Sequence, residues 1–384
     1  MPPQTPQTVT LATISKEAGV APATVSFILN GKARERGIAE KTVRRVLEIA
    51  DRLHYVPNEA ARSLRRQRSA TLGVLFAHLR DEWADRVVAG MREILGPADY
   101  VPLIAVHRFN PEWERQEIQT LLERRVEALI CVPLAEDAGD YERVVKRGVP
   151  LIFLGDTLES MPRANFVAWD AEAAARSAVR RLIETGRRQI AFLGWDLRRP
   201  FITARYMGYR QTLEEAGLQV RDEWAASFPI GESPAFQSGE IVALAIRRMF
   251  GRNRRRPDAV FASGDLLNAD ALAALSEMGF RIPEDVAVAT ISAQPLMGHP
   301  LLGVSVVPVP TMELGREVAR VALELLRHPE NAPIQRVMPC GELQAGRATP
   351  ADAPGGKARR SHSVFKENMS SVDMLSTTRK RSRA

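Results

Sequence analysis

The pattern of apolar and polar positions divides the chain into two textures. Through residues 9 to 56, apolar positions recur in short blocks at helical spacing. Leu11, Ile14 and Ala18 share one helical face, and Gly19 stops that block. A second block runs from Pro22 to Leu29, with Val25, Ile28 and Leu29 at helical intervals, and Asn30-Gly31 ends it. Proline suits a first helical position, where the N–H it lacks has no partner. A third block, from about residue 40 to 53, sets Val43, Val46, Leu47 and Ala50 on one side. Pro57 breaks the chain, and 58–65 reads as one more short helix.

From Ala70 the texture changes. Apolar, often β-branched runs at 72–76, 103–106, 128–132, 151–154, 189–193, 259–262 and 286–291 read as strands. Between most of them lie amphipathic stretches at 83–95, 111–125, 171–185, 203–216, 236–250 and 264–278. Alternating strands and helices imply parallel sheets covered by helices on both faces. Some 280 residues exceed one sheet of ordinary domain size, which predicts two α/β lobes facing a cleft.

Charge sharpens this division. Residues 1–68 hold 12 Lys/Arg against 6 Asp/Glu, and residues 351–384 hold 8 against 3, so the net +7 leaves the middle mildly acidic. Positive ends suit contact with a polyanion, although basic termini also serve solubility. The tail 351–384, poor in apolar residues, reads as disordered. No apolar run reaches the ~18 residues of a membrane span, and residues 1–10 lack the pattern of a secretory signal, so a cytoplasmic protein is expected. Cys131 and Cys340, both among apolar neighbours, are too few for a disulfide framework and read as buried bystanders.

Residues 13–26 have the helix, glycine turn and helix spacing of a DNA reader, in which the second helix enters a major groove ~12 Å wide. Thr24-Val25-Ser26 before Leu29-Asn30-Gly31, then Thr42-Val43-Arg44-Arg45-Val46-Leu47, Tyr55-Val56-Pro57-Asn58 and Ala61-Arg62-Ser63-Leu64 follow in order. In this succession the chain resembles the LacI/GalR (lactose-repressor) family of bacterial transcription regulators, over roughly residues 9 to 350. The resemblance implies an all-α helix-turn-helix headpiece at 1–56 and a hinge helix and linker at 57–69. It also implies an effector-binding and dimerisation core of two Rossmann-like lobes, of the periplasmic-binding-protein type I, at 70–350. The tail lies outside it.

The resemblance also implies roles. Pro22, Ala23 and Phe27 face base edges, Thr24 and Ser26 offer hydroxyls to phosphates, and Thr13 and Asn30 join the DNA-binding set. Asn58, Ala61, Arg62, Leu64 and Arg65 belong to a hinge helix in the minor groove. Leu64 reads either as the wedge between base pairs or as a cap on the core lobe. Arg62, Arg65, Arg66 and Arg68 would neutralise phosphates. Two departures matter. Phe27 stands where many relatives carry Arg, and Phe contacts only a thymine methyl or packs inward. Ala21 and Ala39 stand where Ser commonly caps a helix, a loss of about 1 kcal/mol each, so the headpiece is expected to be marginal without DNA.

In the core, ligands of such folds bind where strands end. Trp83, in the loop after the first strand, reads as a stacking surface for a ligand or as core packing. Arg205, in Thr203-Ala204-Arg205-Tyr206-Met207-Gly208-Tyr209, matches a ligand-gripping Arg, with a surface salt bridge as its other reading. Asp265, after Ser263-Gly264 where relatives have Asn-Asp, either accepts from ligand hydroxyls or caps the next helix. Asp156 and Asp170 follow strands at similar levels and are weaker candidates. Ser292-Ala293-Gln294 replaces a second acidic site, which favours a sugar derivative, even an anionic one, over a simple hexose.

No catalytic constellation is present. The six histidines show no metal spacing, and neither a Gly-x-Ser-x-Gly elbow nor a phosphate-cradling Gly-x-x-x-x-Gly-Lys occurs. No enzyme, metal or cofactor is therefore expected. The expected partners are double-stranded operator DNA, a small-molecule effector (a sugar or sugar derivative) and a second copy of the chain in a homodimer, with no membrane. Ligand binding would shift a two-state balance of the hinge, with repression as the family default. The alternative is a solute-binding protein without a DNA role.

Overall fold

The computed structural model describes residues 9–56, 68–79, 82–134, 138–229, 239–251, 256–294, 298–299 and 302–346. The expected hinge helix at 58–65, and with it Asn58, Ala61, Arg62, Leu64, Arg65 and Arg66, lies outside these residues, as does the tail 351–384.

The headpiece comprises α1 (Leu11–Ala18), α2 (Pro22–Leu29) and α3 (Glu40–Arg52). Thr10 caps α1 by accepting from the Thr13 N–H at 3.3 Å, while the Thr13 hydroxyl accepts from the Thr10 N–H at 3.2 Å. Two free amides are thereby satisfied reciprocally. Gly19 ends α1 at φ 61°, a left-handed conformation that costs glycine least, and Ser15 Oγ braces the turn by donating to the Val20 carbonyl at 2.6 Å. As expected from Ala21 and Ala39, neither α2 nor α3 has a side-chain N-cap. Ile14, Ala18, Val25, Ile28, Val46, Ile49 and Ala50 form the core. One position departs from the periodic reading. Leu47 is 46% exposed, and Ile49 takes its place, because the buried stripe of α3 follows Val46, Ile49 and Ala50.

The rest of the described chain forms two α/β units. The first contains residues up to Trp169 and returns with 311–338, and the second holds 170–310 and the segment from Pro339. In the first unit, β1 (Thr71–Phe76), β2 (Val101–Val106), β3 (Ala128–Cys131), β4 (Leu151–Leu154), β5 (Asn165–Trp169) and β11 (Gln335–Met338) pair in the order β11-β5-β4-β3-β1-β2, all parallel. Its helices are α4 (Glu82–Leu95), α5 (Pro111–Glu123), α6 (Gly139–Lys146) and α11 (Thr311–Arg327). β3 and β4 are buried at every residue, the pattern of strands covered on both faces.

In the second unit, β6 (Ile190–Trp195), β7 (Ala225–Phe228), β8 (Ala259–Ala262), β9 (Ala287–Ser292) and β10 (Ser305–Pro308) pair in the order β10-β9-β8-β6-β7, again all parallel. Its helices are α7 (Ala171–Glu184), α8 (Pro200–Glu215), α9 (Glu240–Phe250) and α10 (Asp265–Glu277). Asp170 caps α7, accepting from the Ala173 N–H at 2.8 Å, so this weaker effector candidate has a local structural task.

All seven expected strands and six expected helices exist, with shifts of a few residues at their ends. β5, β7, β10, β11, α6 and α11 were not among the sequence expectations. Glycines fix the closest helix contact in the first unit. A methyl group on Gly90 of α4 would overlap the Met312 carbonyl of α11, and one on Gly315 of α11 would overlap the Val87 carbonyl of α4. The two helices therefore meet backbone to backbone.

Candidate nucleic-acid interface and ligand site

The second helix of the headpiece divides its side chains sharply. Val25 and Ile28 are buried in the three-helix core, Pro22 and Ala23 are exposed, and Thr24, Ser26 and Phe27 are half-buried. No residue of α2 is charged. Asn30 Nδ2 donates to the Ser26 carbonyl at 2.6 Å and lies 3.3 Å from Ser26 Oγ, so Asn30 finishes α2 as well as standing beside its outer face. The Arg36 guanidinium lies over the Phe27 ring, 4.7 Å from its centroid. Phe27 is thus neither fully packed inward nor bare. Sequence reading did not single out Arg36, which lies outside the helix.

Arg68, expected from the sequence to neutralise a phosphate, has partners within the first α/β unit. Its Nε donates to Glu127 at 3.1 Å, and its guanidinium also bonds the Tyr100 hydroxyl. Burial works to raise the Glu127 carboxyl. The Ala70 N–H, Tyr100 and Arg68 outweigh it and hold the group below its ordinary value. Arg68 itself stays exposed, on the surface of the first α/β unit.

In each sheet the chain reverses its direction of winding next to the first strand: between β1 and β3, and between β6 and β8. Crevices at such switch points, beyond the carboxyl ends of strands, are where open parallel sheets take ligands. In the first unit, Trp83 lies at the start of α4 with its ring edge-on to Phe76 at 5.8 Å, against Gly155 beyond β4. It is half-buried, so part of the indole serves core packing. Asp156 is buried, and its Oδ1 accepts from the Thr157 N–H at 2.8 Å. His107, buried after β2, accepts from the Phe109 N–H at Nδ1 (3.2 Å). Its Nε2 faces the Val132 carbonyl at 3.1 Å, so that nitrogen carries the proton. Arg108 and Phe109 follow with φ of 49° and 60°, rare for side-chain-bearing residues.

In the second unit, Arg205 is buried, which removes its reading as a surface salt bridge. Its Nη1 donates to the Ser263 carbonyl at the end of β8, and its guanidinium sits 4.8 Å from the Phe201 ring centroid. Asp265 is the first residue of α10 and Gly264 holds the capping position, which corrects the expectation of an Asp265 cap. The Asp265 carboxylate instead accepts from Ser292 Oγ and from the Ala293 N–H (3.0 Å), tying α10 to the end of β9. Ser292 Oγ also accepts from the Gln294 N–H at 2.9 Å. A side chain at Gly264 would begin 3.7 Å from Arg205 Nη1 and 3.9 Å from Trp195 Nε1. Arg205, Asp265 and Ser292 therefore gather at one sheet end, and Trp195, which closes β6, joins them. The strand expected at 189–193 stopped short of this indole; extending it by two residues and applying the strand-end rule would have found it.

Burial works against ionisation of both thiols. Burial pushes Cys131 well up, with the Glu114 carboxylate adding to the effect. Cys340 is half-buried rather than buried, and partial burial raises it as well. Among the described residues, no group of three His, Cys, Asp or Glu could hold a metal ion, and no helix is long and apolar enough to cross a membrane.

The family model for bacterial regulatory proteins of the lacI family matches residues 10–58, and that for a periplasmic binding protein-like domain matches 179–349. The HTH-type transcriptional regulator CelR of Thermobifida fusca is 30% identical over 336 residues, 86% of this chain and 95% of that protein. The chain belongs to the LacI family. This LacI-family chain is a DNA-binding transcription regulator and not an enzyme, as its relatives are. Its fold is that of the lac repressor dimer bound to operator and the anti-inducer ONPF, with a TM-score of 0.72 at 22% identity over 88% of this chain and 99% of that one. A CelR–cellobiose complex aligns with a TM-score of 0.63 at 26% identity, over 88% of this chain and all of the other.

Proposed function

We propose that this regulator is a cytoplasmic homodimer that represses transcription at a near-palindromic operator and changes its DNA affinity on binding a sugar or sugar derivative. The observation that carries the DNA half is α2, whose two apolar anchors Val25 and Ile28 are buried while its amino-terminal turn, Pro22 and Ala23, faces outward from a basic unit. Pro22, Ala23 and Phe27 are the proposed base-facing positions, with Thr24 and Ser26 on phosphates and Thr13 and Asn30 alongside. Asn58, Ala61, Arg62, Leu64 and Arg65 are the proposed hinge contacts. The proposed division is headpiece 1–56, hinge and linker 57–69, core 70–350 and tail 351–384.

Arg205, Asp265 and Ser292 are the proposed effector contacts of the second unit, and Trp83 and Asp156 those of the first. The gathering of Arg205, Asp265 and Ser292 at one sheet end, next to a switch point, supports this, as does the cellobiose ligand of the CelR complex. Homodimerisation is supported by β2, an edge strand that exposes Val101, Leu103 and Ile104. An exposed apolar edge invites a partner.

The deciding experiment is genome-wide mapping of bound DNA, followed by titration of the recovered fragment with the purified full-length protein. A shared, near-symmetric sequence with nanomolar-range affinity is expected. Equal affinity for genomic and random duplex at low salt, with and without candidate sugars, would overturn the proposal.

A further inference from the structure

The helix proposed to read bases has an unusual deficit. Pro22–Leu29 offers hydroxyls at Thr24 and Ser26 but no guanidinium, ammonium, amide or carboxylate, and the one adjacent amide, Asn30, is bonded back to Ser26. Discrimination among base pairs in the major groove rests mainly on two-point donors and acceptors, above all a guanidinium forking onto O6 and N7 of guanine. Nothing on α2 itself can do this.

A neighbouring segment supplies the missing group. Arg36 is exposed in the loop that joins α2 to α3, and its guanidinium lies over the Phe27 ring. The backbone holds the pair in register: the Lys32 N–H donates to the Phe27 carbonyl at 2.9 Å, and the Arg36 N–H to the Lys32 carbonyl at 3.2 Å. Two hydrogen bonds therefore lead from the ring-bearing residue to the arginine. Ala23 precedes Phe27 by one helical turn on the same face, and its methyl leaves the surroundings of the ring open. Among the described residues, no carboxylate pairs with Arg36. A planar guanidinium stacks on an aromatic face in a way an ammonium does not, and stacking leaves its edge, with the N–H fork, free to point outward.

We propose that Phe27 is a platform and Arg36 the base-reading group it carries, so that the pair recognises a guanine in each operator half-site. A contact made only to phosphate would need no such platform, because a long flexible cation reaches phosphate by charge alone. The proposal rests on α2 being the DNA-reading helix.

The test is selection from randomised duplexes with full-length protein, in the wild type and in Arg36→Ala, Arg36→Lys, Phe27→Leu and Phe27→Tyr. Phe27→Leu keeps most of the packed volume and removes the ring, and thermal melting verifies that each variant is folded. The wild type is expected to select a guanine at one position of each half-site. Arg36→Ala, Arg36→Lys and Phe27→Leu should lose that preference alone, with affinity for the guanine-bearing site falling roughly 10- to 100-fold, whereas Phe27→Tyr retains it. An unchanged consensus in Arg36→Ala, with affinity lowered equally on all sequences and a salt slope reduced by about 0.9 per contact, would make Arg36 a phosphate contact and overturn the proposal. A guanine preference that survives Phe27→Leu or Arg36→Lys overturns the platform or the fork. If the wild type selects no sequence at all, the helix assignment beneath the proposal fails with it.

Discussion

Seven buried side chains hold the headpiece together, whereas the second α/β unit encloses eighteen in one cluster that includes Trp224, Phe228 and Phe250. The headpiece's largest core members are isoleucines, and two of its three helices begin without a side-chain cap. A unit of about 45 residues buries a smaller fraction of its surface than a large domain does and sits near the lower limit for independent folding. The α/β units are over-determined by comparison, with strands buried on both faces and helices in backbone contact. The part that meets DNA is thus the part least held by its own interior. A headpiece near its folding midpoint can gain order from the operator.

The largest expected effect is a test of the over-determined side. Gly315→Val drives a side chain into the Val87 carbonyl, and a destabilisation of about 3 kcal/mol or more is expected in urea unfolding of the α/β core, with headpiece melting unmoved. A tolerated valine would mean that the α4–α11 contact is looser than described. Ile14→Ala probes the other side. Removing this fully buried side chain should cost roughly 2–5 kcal/mol, enough to leave the free headpiece unfolded, seen as lost amide protection in 11–55 alone. Protection that persists would contradict a marginal headpiece.

A gain should be as informative as a loss. Ala21→Ser and Ala39→Ser restore the oxygens that α2 and α3 lack, and each is expected to stabilise the headpiece by about 1 kcal/mol and raise its melting temperature. No change in either would show that water already satisfies those amides. The smallest effect concerns pH. Arg281, through its side chain and its backbone N–H, holds the Asp285 carboxyl at about 2, below its ordinary 3.8. A carboxyl depressed in the folded state stabilises above its unfolded value and loses that contribution as pH falls through about 2. Arg281→Ala should therefore lower the core melting temperature slightly at pH 7, as befits an exposed pair, and not at all below pH 2. A deficit that grows in acid would reverse the sign and remove the assignment.

How much was legible depends on burial. β3, β4 and β8 appear in the sequence as continuous apolar runs because both their faces are covered, and those expectations fall on the observed strands. β11 is exposed at Gln335, Arg336 and Val337, so no apolar run announces it, and β7 is a short edge strand with a weak signal. In α3 the spacing allowed either of two overlapping stripes, and only packing chose Ile49 over Leu47. The three effector candidates of the second unit were found one by one from their loops. The Asp265–Ser292 bond and the Arg205 bond to the Ser263 carbonyl were not, because they form only when β6, β8 and β9 lie side by side.

By itself the sequence determined the local elements: helices set by period and stopped by Gly19 and Asn30-Gly31, parallel strands written as apolar runs, and a helix-turn-helix whose spacing marks a DNA reader. These depend on neighbours within a few residues, which is the range over which a one-dimensional pattern carries information. The tertiary structure decided which charges were consumed and which were offered. Arg68 was paired with Glu127, Asp265 was bonded to Ser292, and Arg36 came to rest on Phe27. Such pairings join residues far apart in the chain or across a loop, and the energy of a charge is set by what stands a few ångströms away, whatever its place in the sequence.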